Sequence, residues 1–321
     1  MRGFKWKNDV LALAMVIVMV GIAELFQCSA LIFPEIAALT IGCWVMARQP
    51  WQVSSSSFII LMTLSAFVGV LLAHLSIIMP VQVALSFLFS ALALMFTRSS
   101  ITPIFSAGIL PVLLQETNYI YVFAVCIMAA IVVLVRYFLV QAEWVRPFRF
   151  QPVRDSIEEQ AHKWLFLLIG VIVFALIAYF LRLNYLIAPP LIVTFVEFFE
   201  PSSKYRRAPV PIWCLLTAGA LIGTICRFLF SICFGLPLIL SAAIALAALF
   251  IVFVWFRRFF PPAGAIAILP MVLPPDGILG YIPQVAIGAA LLILCACYLP
   301  KLRRKQDTEW EWDEIMNDND K

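Results

Sequence analysis

Apolar residues fall in twelve blocks along the chain: 10–26, 31–47, 58–75, 79–96, 101–114 and 119–140, then 164–181, 186–199, 212–228, 236–256, 261–273 and 281–299. A continuous helix needs about 20 residues to cross the hydrocarbon core of a bilayer. Most blocks approach that length, but 101–114, 186–199 and 261–273 fall clearly short. These three read either as tilted partners inside a bundle or as helices that cross half of the membrane. The pattern predicts an all-α integral membrane protein of about twelve transmembrane segments, several of them short and broken by proline.

The blocks also repeat. Thr102 to Leu114 (TPIFSAGILPVLL) reappears as Pro261 to Leu273 (PPAGAIAILPMVL), with Pro103 in register with Pro262 and Pro111 with Pro270. Arg98 and Arg257 each stand five residues before the first of these prolines. Leu31-Ile32-Phe33-Pro34 aligns with Leu186-Ile187-Ala188-Pro189, and Ala66 to Gly69 with Ala220 to Gly223. Six blocks per half is an even number, so the two copies would share one orientation, related by an axis along the membrane normal. The second and fifth blocks of each half open on proline and run in opposite directions. That points to a three-plus-three inverted arrangement inside each half.

Charge sets the orientation. Lys and Arg gather before the first block and after every even-numbered one, while only Arg182 and Arg227 map to the other side. Basic residues concentrate on the cytoplasmic face, so both termini and the central linker are expected there, in a multi-pass protein of the cell (inner) membrane. The expected organisation is a first transmembrane repeat at 1–140, a cytoplasmic linker at 141–163, a second repeat at 164–300 and an acidic cytoplasmic tail at 301–321.

Composition closes off other classes. The chain is 64% hydrophobic and 12% charged, with a mean hydropathy of +1.03, so lipid is its main partner. Its basic residues lie between apolar runs rather than in a patch, which argues against nucleic acid. The eight cysteines form no C-x-x-C pair, and no metal or cofactor is expected. There is no H-E-x-x-H and no Ser/His/Asp grouping, so an enzyme is not expected. A homo-oligomer is compatible with the sequence, though no surface feature specifies one.

Arg257-Arg258-Phe259-Phe260-Pro261-Pro262-Ala263-Gly264-Ala265 resembles the signature of the HPP membrane family, in which His-Pro-Pro-Ala/Gly-Gly-Ala follows an arginine-ended helix. Ala47-Arg48-Gln49-Pro50-Trp51 and Ser65-Ala66-Phe67-Val68-Gly69-Val70 are similar to two further stretches of that family. The resemblance covers one family-sized unit per half, with Phe260 and Ile101 where the name-giving histidine would stand. It implies a multi-spanning protein, and some members are associated with nitrite transport.

A proline at the first helical position lacks an amide that would be unpaired anyway, and it defines the helix start. Helices opening inside the membrane at Pro34, Pro103, Pro189 and Pro262 would gather free N–H groups and positive dipole ends, which attract anions. Small residues beside them (Ser106, Gly108, Gly264) let a substrate or another backbone come close, Thr102 and Ser106 add hydroxyls, and Pro111 and Pro270 each free a carbonyl and form an adjustable bend. Arg227 stands against the charge bias and is a candidate for anion capture or for pairing with Glu35 or Asp276. Glu24 and Glu35 read as interfacial, and His74 as structural. The expected binding set is Thr102, Pro103, Ser106, Gly108, Pro111, Pro261, Pro262, Gly264, Pro270 and Arg227, serving a transporter or channel for a small solute, an anion such as nitrite. The same segments also read as packing wedges between repeats. The alternative function is a structural or assembly membrane protein whose acidic tail recruits a partner.

Overall fold

The computed structural model describes residues 6–46, 48–153, 157–200 and 203–298, all helix and connecting segments. The tail at 301–321 lies outside the described residues. Among the described residues, eight helices are long and apolar enough to cross a membrane: α1 (Trp6–Leu25), α3 (Ser55–Ala73), α4 (Met79–Thr97), α6 (Ile120–Gln141), α7 (Ile157–Leu181), α9 (Pro209–Cys226, continued by a π-helical stretch to Cys233), α10 (Leu238–Phe256) and α12 (Ile278–Tyr298). Four are shorter: α2 (Glu35–Thr40, prolonged by a π turn, Ile41–Val45), α5 (Pro103–Leu114), α8 (Pro189–Phe199) and α11 (Pro261–Ile268, ending in a 3-10 turn at Met271). This is a multi-pass integral membrane protein. Helix α7 begins at Ile157, inside the stretch that the sequence reads as a linker, because Glu158 and Glu159 suit the first turn of a helix.

The helix ends follow from local chemistry. Ser54 caps α3 by accepting the Ser57 amide at 3.1 Å. Prolines occupy the first turn of α4, α5, α8, α9 and α11, where no amide bond is lost. At the other end, Arg98 (φ 48°) and Arg257 (φ 52°) adopt left-handed backbone just past α4 and α10. The next amides, of Ser99 and Arg258, reach back five residues to the Leu94 and Phe253 carbonyls. Glycine is the usual residue there. An arginine accepts the backbone penalty and keeps a charge at the membrane boundary, where lipid headgroups and water solvate it.

The short helices are the core. Every residue of α5 from Pro103 to Val112 is buried, as is every residue of α8 from Pro189 to Phe198 and of α11 from Pro261 to Met271. The long helices carry the lipid-facing side chains instead, such as Phe123, Phe180, Ile251 and Trp255. A helix of eleven residues spans about 16 Å, half the hydrocarbon thickness. An end that stops inside the hydrocarbon cannot meet water, so it must be surrounded by protein.

The packing is reciprocal. Helix α1 lies on α10 and α7 on α4, while α2 lies on α11 and α8 on α5. Within each half a long helix seats a short one by direct backbone contact. A Cβ on Gly69 would stand 2.1 Å from the Gly108 carbonyl oxygen, and one on Gly223 would stand 2.1 Å from that of Ala267. Ser65 donates to the Ile104 carbonyl at 2.8 Å. These contacts hold α5 against α3 and α11 against α9 at a spacing that only a missing side chain permits.

Replacing Gly223 with Ala is therefore expected to destabilise the fold by about 1–3 kcal/mol, the usual cost of overpacking. A thermal melt in detergent reads this directly. Gly21→Ala, whose Cβ would meet only the mobile end of Ile239 at 3.0 Å, is the control and should melt near the parent.

Candidate functional site

The first turns of all four short helices face one internal cavity. Each helix contributes two lining residues three apart, hence on one face: Glu35 and Ala38 from α2, Pro103 and Ser106 from α5, Pro190 and Val193 from α8, Pro262 and Ala265 from α11. Trp51, from the segment between α2 and α3, completes the wall. The cavity among these atoms has a volume of about 10 Å³, room for roughly one water molecule. The lining is apolar except for the Glu35 carboxyl and the Ser106 hydroxyl, which are 1% and 0% exposed. Neither the two Glu35 oxygens nor Ser106 Oγ makes a hydrogen bond of acceptable geometry.

The prolines shape this lining in a way that corrects one expectation. Free amides do not gather at these helix starts. The early N–H groups turn back onto the preceding chain: Ile36 and Ala37 onto Phe33 and Pro34, Phe105 onto Thr102, Leu191 onto Ala188, and Ala263 onto Phe260, at 2.7–3.2 Å. The positive ends of the helix dipoles remain, because they arise from the aligned peptides of the whole helix.

Trp51 closes the cavity on the side toward the C-terminal ends of α2 and α8. Its ring rests on Gly42, where a Cβ would come within 2.6 Å of two ring carbons. Its indole N–H donates to Glu197 Oε1 at 3.3 Å, and the Thr102 hydroxyl donates to the same oxygen at 2.9 Å. Glu197 lies seven residues after Pro190, two turns along the same face of α8. Beyond it stands Lys204 in the following loop. Burial pulls the Lys204 ammonium below its ordinary range, and the Glu197 charge pulls it the other way.

Of the residues expected to bind solute, Pro103, Ser106 and Pro262 line the cavity. The others serve the framework. Thr102 spends its hydroxyl on Glu197. Gly108 faces the Ser65 and Ser86 hydroxyls, and Gly264 faces Ile41 and Ala37, so both permit helix contacts rather than substrate approach. Pro261 is buried in the first turn of α11 but does not border the space. Arg227 donates to the Pro270 carbonyl and pairs with neither Glu35 nor Asp276.

Pro111 and Pro270 are not loose bends. Each deprives the carbonyl four residues earlier of its helical donor, and a tyrosine supplies the replacement. Tyr121 Oη donates to the Ala107 carbonyl at 2.9 Å, and Tyr281 Oη to that of Ile266 at 3.0 Å. Both tyrosines are buried and meet a second ring edge-on, Phe33 and Tyr185 respectively.

The remaining acids also moved from their expected places. Glu35 is buried in the cavity rather than interfacial. Glu24 caps α10, accepting the Leu238 and Ile239 amides at 2.8 and 3.2 Å. Glu200 pairs with Lys163. His74 contacts the Val70 carbonyl and stacks on Tyr119, a structural placement. Sequence reading passed over Glu35, Trp51 and Pro190 as site residues. The available signal was that Pro34-Glu35 and Pro189-Pro190 are aligned helix starts, the counterparts of Pro103 and Pro262.

Residues 152–308 match the family model described as HPP, transmembrane region. The stretch from α7 to α12 is an HPP transmembrane region. No curated protein and no solved structure matches the chain. The match takes in α7 to α12, including Pro262, which lines the cavity. Phe260 is fully buried against Tyr205, their ring centroids 4.7 Å apart, an apolar role that an aromatic ring fills without any proton chemistry.

Tyr281→Phe removes only the hydroxyl that satisfies the Ile266 carbonyl. The expected result is a loss of about 1–3 kcal/mol, the cost of an unpaired buried acceptor, read as a lower melting temperature in detergent. An unchanged melt would mean that this carbonyl finds another donor.

Proposed function

We propose that this protein is a membrane transporter or channel for a small solute, and that the solute is a small anion such as nitrite. The observation that carries the reading is the convergence of four helix N-terminal turns on one buried cavity. Each end contributes the equivalent of roughly half a positive charge. No basic side chain lines the space, so an anion would be held without the strong ion pair that slows release. The narrow space suits a solute of few atoms, and its buried walls favour a carrier that must rearrange over an open pore. A site built from half-crossing helices near the middle of the membrane is a common transporter arrangement.

The same reading includes two parallel six-segment repeats with cytoplasmic termini. Its support is the reciprocal packing of α1 on α10 and α7 on α4, and of α2 on α11 and α8 on α5. The pairs Tyr121 with Ala107 and Tyr281 with Ile266 add to it, since the two carbonyls occupy the same register in the aligned segments. The cavity would then lie on the axis between the repeats. Glycines 108 and 264 explain the wedge-like character of the segments, and the cavity explains why the wedges leave space.

The test is flux into proteoliposomes holding the full chain, screened with nitrite, nitrate, formate and chloride against a neutral solute and protein-free vesicles. Saturable entry of an anion is expected. Ala265→Leu should abolish it, because the added atoms overfill the narrow cavity, and a thermal melt checks that the variant still folds. Entry that survives this substitution would move the site elsewhere, and no entry of any anion into vesicles holding folded protein would sink the anion reading.

A further inference from the structure

We propose that Glu35 loads a proton together with each anion, so that one proton and one anion cross as a neutral pair. This inference rests on the anion reading of the cavity. It begins with the contrast between Glu35 and the other acids near the membrane. Glu24 caps a helix, Glu197 accepts two side-chain hydrogen bonds, and Glu200 holds a lysine. Each has a structural task. Glu35 alone of these four faces the cavity, 1% exposed, with both oxygens unpartnered and the unpartnered Ser106 hydroxyl on the same wall.

No cation answers it. Helices α5 and α11, packed against α2, carry no titratable side chain. Helix α6 brings Tyr121, whose proton goes to the Ala107 carbonyl, and Arg136, which donates to the Cys43 carbonyl at the other end of α2. From α1 come Lys7, which sits over the Trp144 ring, Asp9 near the start of the helix, and Glu24, held at α10. Tyr281 on α12 donates to Ile266, and Glu197 on α8 is bound by Trp51 and Thr102.

Four positive helix ends favour one negative charge in the cavity. They do not favour two, because like charges a few ångströms apart in a narrow apolar space repel strongly. The single charge can therefore belong either to the Glu35 carboxylate or to a bound anion beside a protonated Glu35. In the second state the acid has one O–H to donate, and both the anion and Ser106 are in reach of the same wall. Loading forms one O–H bond on Glu35 and admits one anion. Release breaks that bond on the other side as the anion leaves, so no net charge crosses.

The experiment uses the full chain in proteoliposomes containing a pH-sensitive dye, with an inward gradient of nitrate or chloride. Protein-free vesicles subtract leakage. The expected result is acidification of the interior by one proton per anion, entry faster at lower external pH, and no response to an imposed membrane voltage. Any exchange of labelled for unlabelled anion that Glu35→Gln, a fixed neutral donor, retains should bring no protons and lose its pH dependence. Anion entry that carries charge and no protons overturns the proposal, as does acidification that persists in E35Q. Should E35Q fail to fold, the wild-type proton count decides by itself. A wild-type chain that moves no anion overturns the site reading and this inference with it. Anion entry that is abolished by A265L but brings no protons overturns only the coupling.

Discussion

A helix that stops halfway across a membrane leaves polar backbone where lipid offers no hydrogen bonds, and this protein is arranged around four such ends. The eight long helices can face lipid because each satisfies its own backbone. The four short ones cannot, and so they occupy the interior, where neighbouring protein takes the place of water. Their first-turn amides fold back onto the preceding chain, which is why prolines stand where amides would be surplus. Where a proline within the helix frees a carbonyl, Tyr121 or Tyr281 covers it. Almost every polar backbone atom exposed by breaking the helices is accounted for within a few residues of the break.

Seating these helices requires close approach, since the driving force between apolar surfaces in lipid is packing rather than exclusion of water. Glycine serves that requirement at both ends of the relation. Gly69 and Gly223 on the long helices touch the carbonyls of Gly108 and Ala267, while Gly264 lets α11 settle against α2. The outcome is a rigid frame whose contacts recur between the two halves of the chain. A frame packed this tightly makes a remaining cavity informative: the four helix starts meet without filling the space between them.

The chemistry of that cavity is set by what is missing as much as by what is present. The lining has proline rings, small side chains and an indole, with one carboxyl and one hydroxyl that lack partners. The carboxyl sits beside the first turns of four helices. Trp51, fixed between Gly42 and Glu197, separates the space from the basic loop that carries Lys204. The tie from Glu197 to both Trp51 and Thr102 links this closure to the start of α5, one wall of the cavity.

The sequence by itself determined what depends on sums over many residues. Hydropathy and length marked three of the four short helices, because transfer into lipid adds residue by residue along a helix of known rise; the block at 31–47 reads as nearly full length, yet it holds the short α2. It also located the helix starts, since proline acts on its own backbone. The positions Pro103, Ser106 and Pro262 followed from that, and each borders the cavity. Only the tertiary structure decided direction. Gly108 and Gly264 look identical in kind to Ser106 and Ala265 along the chain, yet they turn toward neighbouring helices. Arg227 found a carbonyl rather than an acid, and Glu35 faced the cavity rather than the interface. On helices that are apolar all round, no amphipathic face announces which side is inward. The facing residues are chosen by how closely backbones can approach, and that is a property of pairs of helices, not of any one segment.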